Sequence, residues 1–332
     1  MNKTAFSRRS LLASTIAFTV AASPLWQAPV HAEDFKMGLL VPGSIGEEGW
    51  NRIAFDALKR VEKELGAKIS YVELPENPAA FEKAFRDYAG QGYQVVLGHG
   101  FQFQDAALTA AEDFPDTVFL ISSSRIHEGK VIGLNTDASQ PFYLMGVIAA
   151  KLGKGAGLIG GMEIPPITQA FEGFVNGVKS VNPDYPVSTI YLGSFTDVSA
   201  AKEAAFSVIS QGADFVIPNA NSAGMGVIQA AREASGGKAS TFSVYSDYTH
   251  AAPQNVLGTF LADYGQGIVR IVAGIKDGEV PDSNVDFGLK DTDVIKFTYN
   301  DAANRPVPAE LRTFVDDVSA KIVAGDIQTR AK

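Results

Sequence analysis

From residue 36 onward the chain alternates between two kinds of apolar run. Short, continuous runs at Lys36–Val41, Lys68–Leu74, Val95–Gly98 and Val118–Ser122 predict strands. Longer stretches with a helical period lie between them. Trp50–Leu65 places Ile53, Ala54, Leu58, Val61 and Leu65 on one face, and Pro78–Gln91 follows the same rule. The rhythm resumes at Gly157–Gly161, Ser188–Gly193, Phe215–Pro218 and Thr241–Tyr245. Strands that alternate with helices of this length imply parallel βαβ units, and hence an α/β fold.

The second series repeats the first at a constant offset of 120 residues. "FEKAFRDYAGQGYQVVLGHG" at 81–100 aligns with "AKEAAFSVISQGADFVIPNA" at 201–220, matching Gln91-Gly92 to Gln211-Gly212. At the same offset Tyr71 meets Tyr191, Lys59 meets Lys179, and Ala110-Ala111 meet Ala230-Ala231. Two similar Rossmann-like lobes are therefore expected, each with a parallel sheet. Such sheets bind ligands outside the carboxyl ends of their strands. A hinge between two facing lobes would close those ends over a ligand.

The first 32 residues break the rhythm. Lys3, Arg8 and Arg9 precede an apolar stretch from Leu11 to Val20, and Val30-His31-Ala32 offers a small-x-small cleavage site. This is the layout of a signal peptide, and Ser7-Arg8-Arg9-Ser10-Leu11-Leu12 resembles a twin-arginine export signal. The 332-residue chain carries a formal charge of −9, and cleavage after Ala32 would remove only positive charges. So acidic a protein is a poor match to nucleic acid. With no cysteine there is neither a disulfide framework nor a lipidation site. The expected location is the periplasm, free of a lipid anchor.

Candidate chemistry concentrates in the turns after the strands. These are Gly43–Arg52, Gly98–Asp105, Gly160–Pro166 leading to Phe171, Asn219–Gly224, and Tyr245–Tyr248. Glycines let backbone approach a ligand. Aromatic faces combined with Asn, Gln and acids suit a small planar ligand with hydrogen-bonding edges, and they also suit a sugar. No Gly-rich phosphate loop opens a helix. No Gly-x-Ser-x-Gly elbow or His-Glu-x-x-His cluster points to catalysis or a metal, so an enzyme, a cofactor and a metal site are not expected.

Together these pieces resemble the basic membrane protein family of ABC-transporter substrate-binding proteins, which includes purine nucleoside receptors. The resemblance runs from about Lys36 to about Glu279. It is carried by Gly49-Trp50-Asn51, Gly98-His99-Gly100-Phe101, "GLIGGMEIPPITQAFEGFVNGVKSVNP", "YLGSFTDVSAAKEAA" and "QGADFVIPNANSAGMGVIQAARE". It implies a type I periplasmic-binding fold, with residues 35–138 plus about 250–288 in one lobe and 139–249 plus about 289–332 in the other. It implies a monomer that captures a purine base or nucleoside and delivers it to ABC membrane subunits. Binding of a sugar, polyol or other polar solute, or a sensor or hydrolase role on the same scaffold, is the alternative.

The family's acidic, aromatic and amide turn falls on Glu47, Trp50 and Asn51. A second stacking aromatic from the other lobe is implied at Phe171 or Phe195, and the 120-residue offset puts Phe171 one residue from the position equivalent to Trp50. His99, Phe101, Asn219, Asn221, Asp247 and Asp263 complete the expected ligand-binding set. One departure matters: relatives that bind nucleosides carry Val-Asp-x-Asp and a following lysine. This chain reads Val244-Tyr245-Ser246-Asp247 and has no lysine until Lys276. A free base thus rivals an intact nucleoside. Trp50→Ala is expected to weaken binding while leaving the melting temperature nearly unchanged.

Overall fold

A computed structural model describes Met1 and residues 34–46, 49–234 and 239–331. The expected signal peptide, together with Glu47, lies outside the described residues. The first sheet holds β1 (Lys36–Pro42), β2 (Lys68–Leu74), β3 (Val95–Gly98), β4 (Val118–Ser122), the short β5 (His127–Glu128) and β6 (Val131–Thr136). Its order is β12-β6-β4-β3-β1-β2, where β12 (Val285–Phe287) returns from late in the chain. All pairs along this path are parallel; β5 pairs with β6 antiparallel.

The second lobe contributes β7 (Ala156–Gly160), β8 (Val187–Tyr191) and β9 (Phe215–Asn219) in the order β8-β7-β9. A parallel bridge from Phe215 to Ser240 links this set to β10 (Thr241–Tyr245), β11 (Val256–Ala262) and β13 (Ile295–Tyr299). The two lobes are α/β with parallel sheets, as the hydrophobic pattern predicts, except that β13 joins β11 antiparallel. One boundary differs. Val256–Ala262 was expected in the first lobe but pairs with β10 and β13 in the second. Only after Asp263 does the chain return, as α8 (Tyr264–Lys276), to pack on α1 (Trp50–Leu65).

Strand period explains the burial on both faces of the first sheet. Met37, Leu39 and Val41 face α1 and α8 and meet Leu58, Val61 and Ile268. Leu40, Val96 and Phe119 face α2 (Pro78–Gly90) and α3 (Gln104–Ala111), where Phe81, Phe85 and Phe103 fill the layer. A central strand covered on both sides must read as a continuous apolar run, which is why no alternation marks it in the sequence. The second sheet is covered in the same way. Ile159 and Val216 pack under the alanine-rich helices α6 (Val198–Ser210) and α7 (Gly224–Glu233). On its other side α4 (Ser139–Leu152) and α5 (Pro165–Val181) come into backbone contact. A Cβ on Gly146, Gly173 or Gly177 would lie 2.1–2.2 Å from a carbonyl oxygen of the facing helix. The remaining helix, α9 (Ala309–Ala324), packs against α4.

The 120-residue offset is visible in the elements. β1 and β7 begin at Lys36 and Ala156, α2 and α6 at Pro78 and Val198, and α3 and α7 at Gln104 and Gly224. Gly92 and Gly212 end the equivalent helices with φ of 74° and 103°. Only glycine enters that region without a steric cost, so the repeated Gln-Gly pair is a backbone requirement. Among the described residues no helix is long and apolar enough to cross a membrane.

Candidate functional site

The carboxyl ends of both sheets face one another across a cavity of about 290 Å³. The first lobe supplies Pro42 and Gly43 after β1, Leu74, Pro75 and Glu76 after β2, Gly100, Phe101 and Gln102 after β3, and Ser123 after β4. Across from them lie Ile164, Pro166 and Ile167 after β7 and Gly193–Thr196 after β8. Asn219 and Asn221 follow from β9, and Tyr245 ends β10. Trp50, the first residue of α1, reaches in from the first lobe. Among the described residues lining the cavity, Glu76 is the one charged side chain; neither Lys nor Arg is present.

Among the described residues three that are not glycine have positive φ: Ser123 at 58°, Asn221 at 49° and Tyr245 at 68°. All three line the cavity, each at or just past a strand end. An L-residue in this region costs roughly 1–2 kcal/mol. Such conformations persist where the surroundings enforce them, and they cluster at ligand sites.

Trp50 is the centre of the aromatic wall. Its ring stacks on His99 at 4.3 Å between centroids and 24° between planes. Tyr245 approaches at 4.9 Å, and Tyr264 meets the indole edge-on at 5.2 Å. The α1 N-terminus has Gly49 at its cap position, which offers no side-chain acceptor. Asn221 of the other lobe supplies it: its Oδ1 accepts the Trp50 N–H at 3.1 Å. A helix of one lobe is thus capped by a side chain of the other.

The expected site residues divide into two groups. Trp50, Phe101, Phe195, Asn219 and Asn221 line the cavity together. The others do not. Asn51 is buried, and its Nδ2 donates to the Pro42 and Ser44 carbonyls, so it fastens the β1–α1 turn. Phe171 is 4 % exposed and packs between Phe142 and Tyr191 in the second lobe's core. Phe195 instead lies over Gly161, where an added Cβ would come within 2.2 Å of its ring. Of the two aromatics left open by the sequence, it is Phe195 that faces the cavity.

Asp247 points away and accepts from the Thr249 N–H at 2.8 Å. Asp263 caps α8 through the Gly265 N–H and pairs with Arg60 on the outer surface. A carboxylate near a strand end has local donors to satisfy first, which drew both acids away from the cavity. Sequence reasoning misses the β2 turn at Leu74–Glu76, and it includes the Tyr245–Tyr248 turn without naming Tyr245 as a ligand contact. Burial raises the Tyr245 phenol above its ordinary range, so the hydroxyl there is neutral.

His99 is fully buried and does not line the cavity. Its Nε2 lies 2.9 Å from the Trp50 carbonyl oxygen, and its Nδ1 lies 3.0 Å from Ser122 Oγ. A Ser–His pair at this distance invites comparison with a nucleophile and its base. Here both side chains are sealed from the cavity and the imidazole's other nitrogen is occupied, so the pair is structural.

Burial lowers the His99 pKa from 6.5 to about 3, against a smaller opposing effect of the Trp50 carbonyl. Between those values the unfolded chain binds a proton that the native protein does not, so stability falls as pH falls through that window. The slope approaches about 1.4 kcal/mol per pH unit. Chemical denaturation is expected to show about 2 kcal/mol less stability at pH 5 than at pH 7 from this group. His99→Gln should remove that part of the slope. An equal pH dependence in the variant would show that His99 does not carry it.

The residues of this cavity suit a small, flat, uncharged ligand, with aromatic faces for stacking and amides and hydroxyls around them. A purine-binding protein of Brucella abortus is 27 % identical over 313 residues, covering 93 % of this chain and 87 % of its own. An ABC transporter nucleoside-binding protein of Lactococcus lactis is 28 % identical, covering 90 % of each chain. An ABC transporter solute-binding protein of Aeropyrum pernix K1 superposes with a TM-score of 0.80 at 19 % identity, over 89 % of this chain and 92 % of its own. That likeness establishes the periplasmic-binding fold. The family model for ABC transporter substrate-binding proteins of the PnrA-like type matches residues 35–331, and the chain belongs to that family.

Proposed function

We propose that the protein captures a purine-type ligand, as free base or nucleoside, in the cavity between its lobes and delivers it to the membrane subunits of an ABC importer. The observation that carries this reading is the wall of Trp50, Phe101, Phe195 and Tyr245 around a space of about 290 Å³, with no basic side chain among the described lining residues. Such a volume sits at the small end of ligand sites. A phosphate would face Glu76 with no cation to offset it, which disfavours nucleotides. The two relatives above, one purine-binding and one nucleoside-binding, support a purine or nucleoside. Delivery in the periplasm, as a monomer and without chemical change to the ligand, follows from the same reading.

The riboside question turns on Tyr245. It stands where nucleoside-binding relatives carry an acid, and no lysine is among the described residues lining the cavity. We therefore expect adenine, guanine and hypoxanthine to bind at least as tightly as their ribosides by calorimetry, and to be recovered unchanged. A riboside binding a hundredfold tighter than its base would overturn the preference for the base. Thermal stabilisation by sugars alone would overturn the purine reading.

A further inference from the structure

We propose that His99 is a positioning residue that sets the Trp50 indole as a fixed plate, one face held by the protein and the other presented to the ligand. This rests on reading the cavity as the ligand site. Five contacts converge on His99. Its backbone N–H donates to the Leu40 carbonyl at 2.9 Å, tying it to β1. The Trp50 carbonyl can only accept, so the Nε2 facing it at 2.9 Å carries the proton. Nδ1 is then the lone pair, and it accepts from the Ser122 hydroxyl at 3.0 Å. Ser122 is itself fully buried at the end of β4. The ring faces the indole at 4.3 Å, while Tyr264 stands edge-on to both rings.

Each contact removes a freedom that Trp50 would otherwise lose on binding. The Ser122 hydroxyl selects the tautomer, the tautomer directs a donor to the Trp50 carbonyl, and the imidazole face fixes the tilt of the indole. Side-chain ordering at a site costs affinity when it happens at binding, and prior ordering removes that cost. Phenylalanine at position 99 could supply the face but neither polar contact. Glutamine could supply the donor but not the face. Histidine is the residue type that does both while its two nitrogens remain satisfied in a dry interior.

The test needs an indole signal independent of ligand. The chain has two tryptophans, Trp26 and Trp50, and Trp26 falls in the expected signal peptide, so the protein cleaved after Ala32, or a Trp26→Phe background where the leader is retained, leaves Trp50 as the sole tryptophan. In that background we would compare His99→Phe, His99→Gln and Ser122→Ala, using time-resolved anisotropy of Trp50 without ligand and calorimetry with adenine and adenosine as probes. His99→Phe and Ser122→Ala are expected to widen the fast motion of the indole. Adenine should bind at least tenfold more weakly to His99→Phe and about threefold more weakly to Ser122→Ala. His99→Gln, which keeps the donor but lacks the face, should also widen the motion of the indole. Unchanged indole motion in both His99→Phe and Ser122→Ala would overturn the inference, as would a loosened indole with full affinity. If His99→Phe fails to fold, Ser122→Ala decides alone. A parent protein that binds neither adenine nor adenosine overturns the purine reading, while the anisotropy still decides the role of His99.

Discussion

Trp50→Ala is expected to weaken purine binding at least tenfold and also to lower the melting temperature by several degrees. The first effect follows from the loss of the flat face at the mouth of α1, since aromatic pairs contribute about 0.5–1.5 kcal/mol beyond the area they bury. The second departs from the expectation drawn from sequence, which treated Trp50 as a free plate. The indole covers His99 on one face and packs its edge on Tyr264, so its removal opens a gap beside two buried rings. Full truncation of a buried aromatic costs about 3–5 kcal/mol, and a partly buried one costs less, on the order of 2 kcal/mol. Calorimetry with adenine and a thermal melt of the unliganded variant separate the effects. Wild-type affinity in the variant would remove Trp50 from the site.

The second large effect concerns the pair that sequence left open. Phe171→Ala should cost about 3–5 kcal/mol of stability, because the ring fills space between Phe142 and Tyr191. Phe195→Ala should cost little stability, because one face of that ring borders the cavity, but it should weaken purine binding at least tenfold. Denaturant titration and ligand calorimetry on both variants test the contrast. A stable Phe171→Ala protein that no longer binds would reverse the assignment.

That pair shows where the sequence was legible and where it was not. Strands and helices kept in phase at 120 residues because each is bounded by core packing and by the same Gln-Gly turn. The strand-to-helix turns escape that constraint. β1 ends at Pro42 and α1 begins at Trp50, whereas β7 ends at Gly160 and α5 begins already at Pro165. The offset therefore slips in the very turn used to align Trp50 with Phe171. Asp247 and Asp263 mark strand ends correctly, yet local N–H groups hold their carboxylates. His99 belonged to the site by neighbourhood but lies behind it. Sequence spacing placed it at the end of β3, and only the packing showed that its ring turns inward.

The return of the chain to its first lobe has a consequence for making chimaeras with relatives. The first sheet is completed by Val285–Phe287, and α1 is covered by Tyr264–Lys276, both encoded after the whole second sheet but for β13. A gene crossover near residue 138 would join a sheet to a foreign edge strand and a helix to a foreign partner. Exchange of the first lobe between family members calls for moving the segments at 35–136 and 264–287 as one unit, with junctions at Asp137, Asp263 and Gly288. Libraries recombined at single points will be filtered by folding before ligand choice is ever tested.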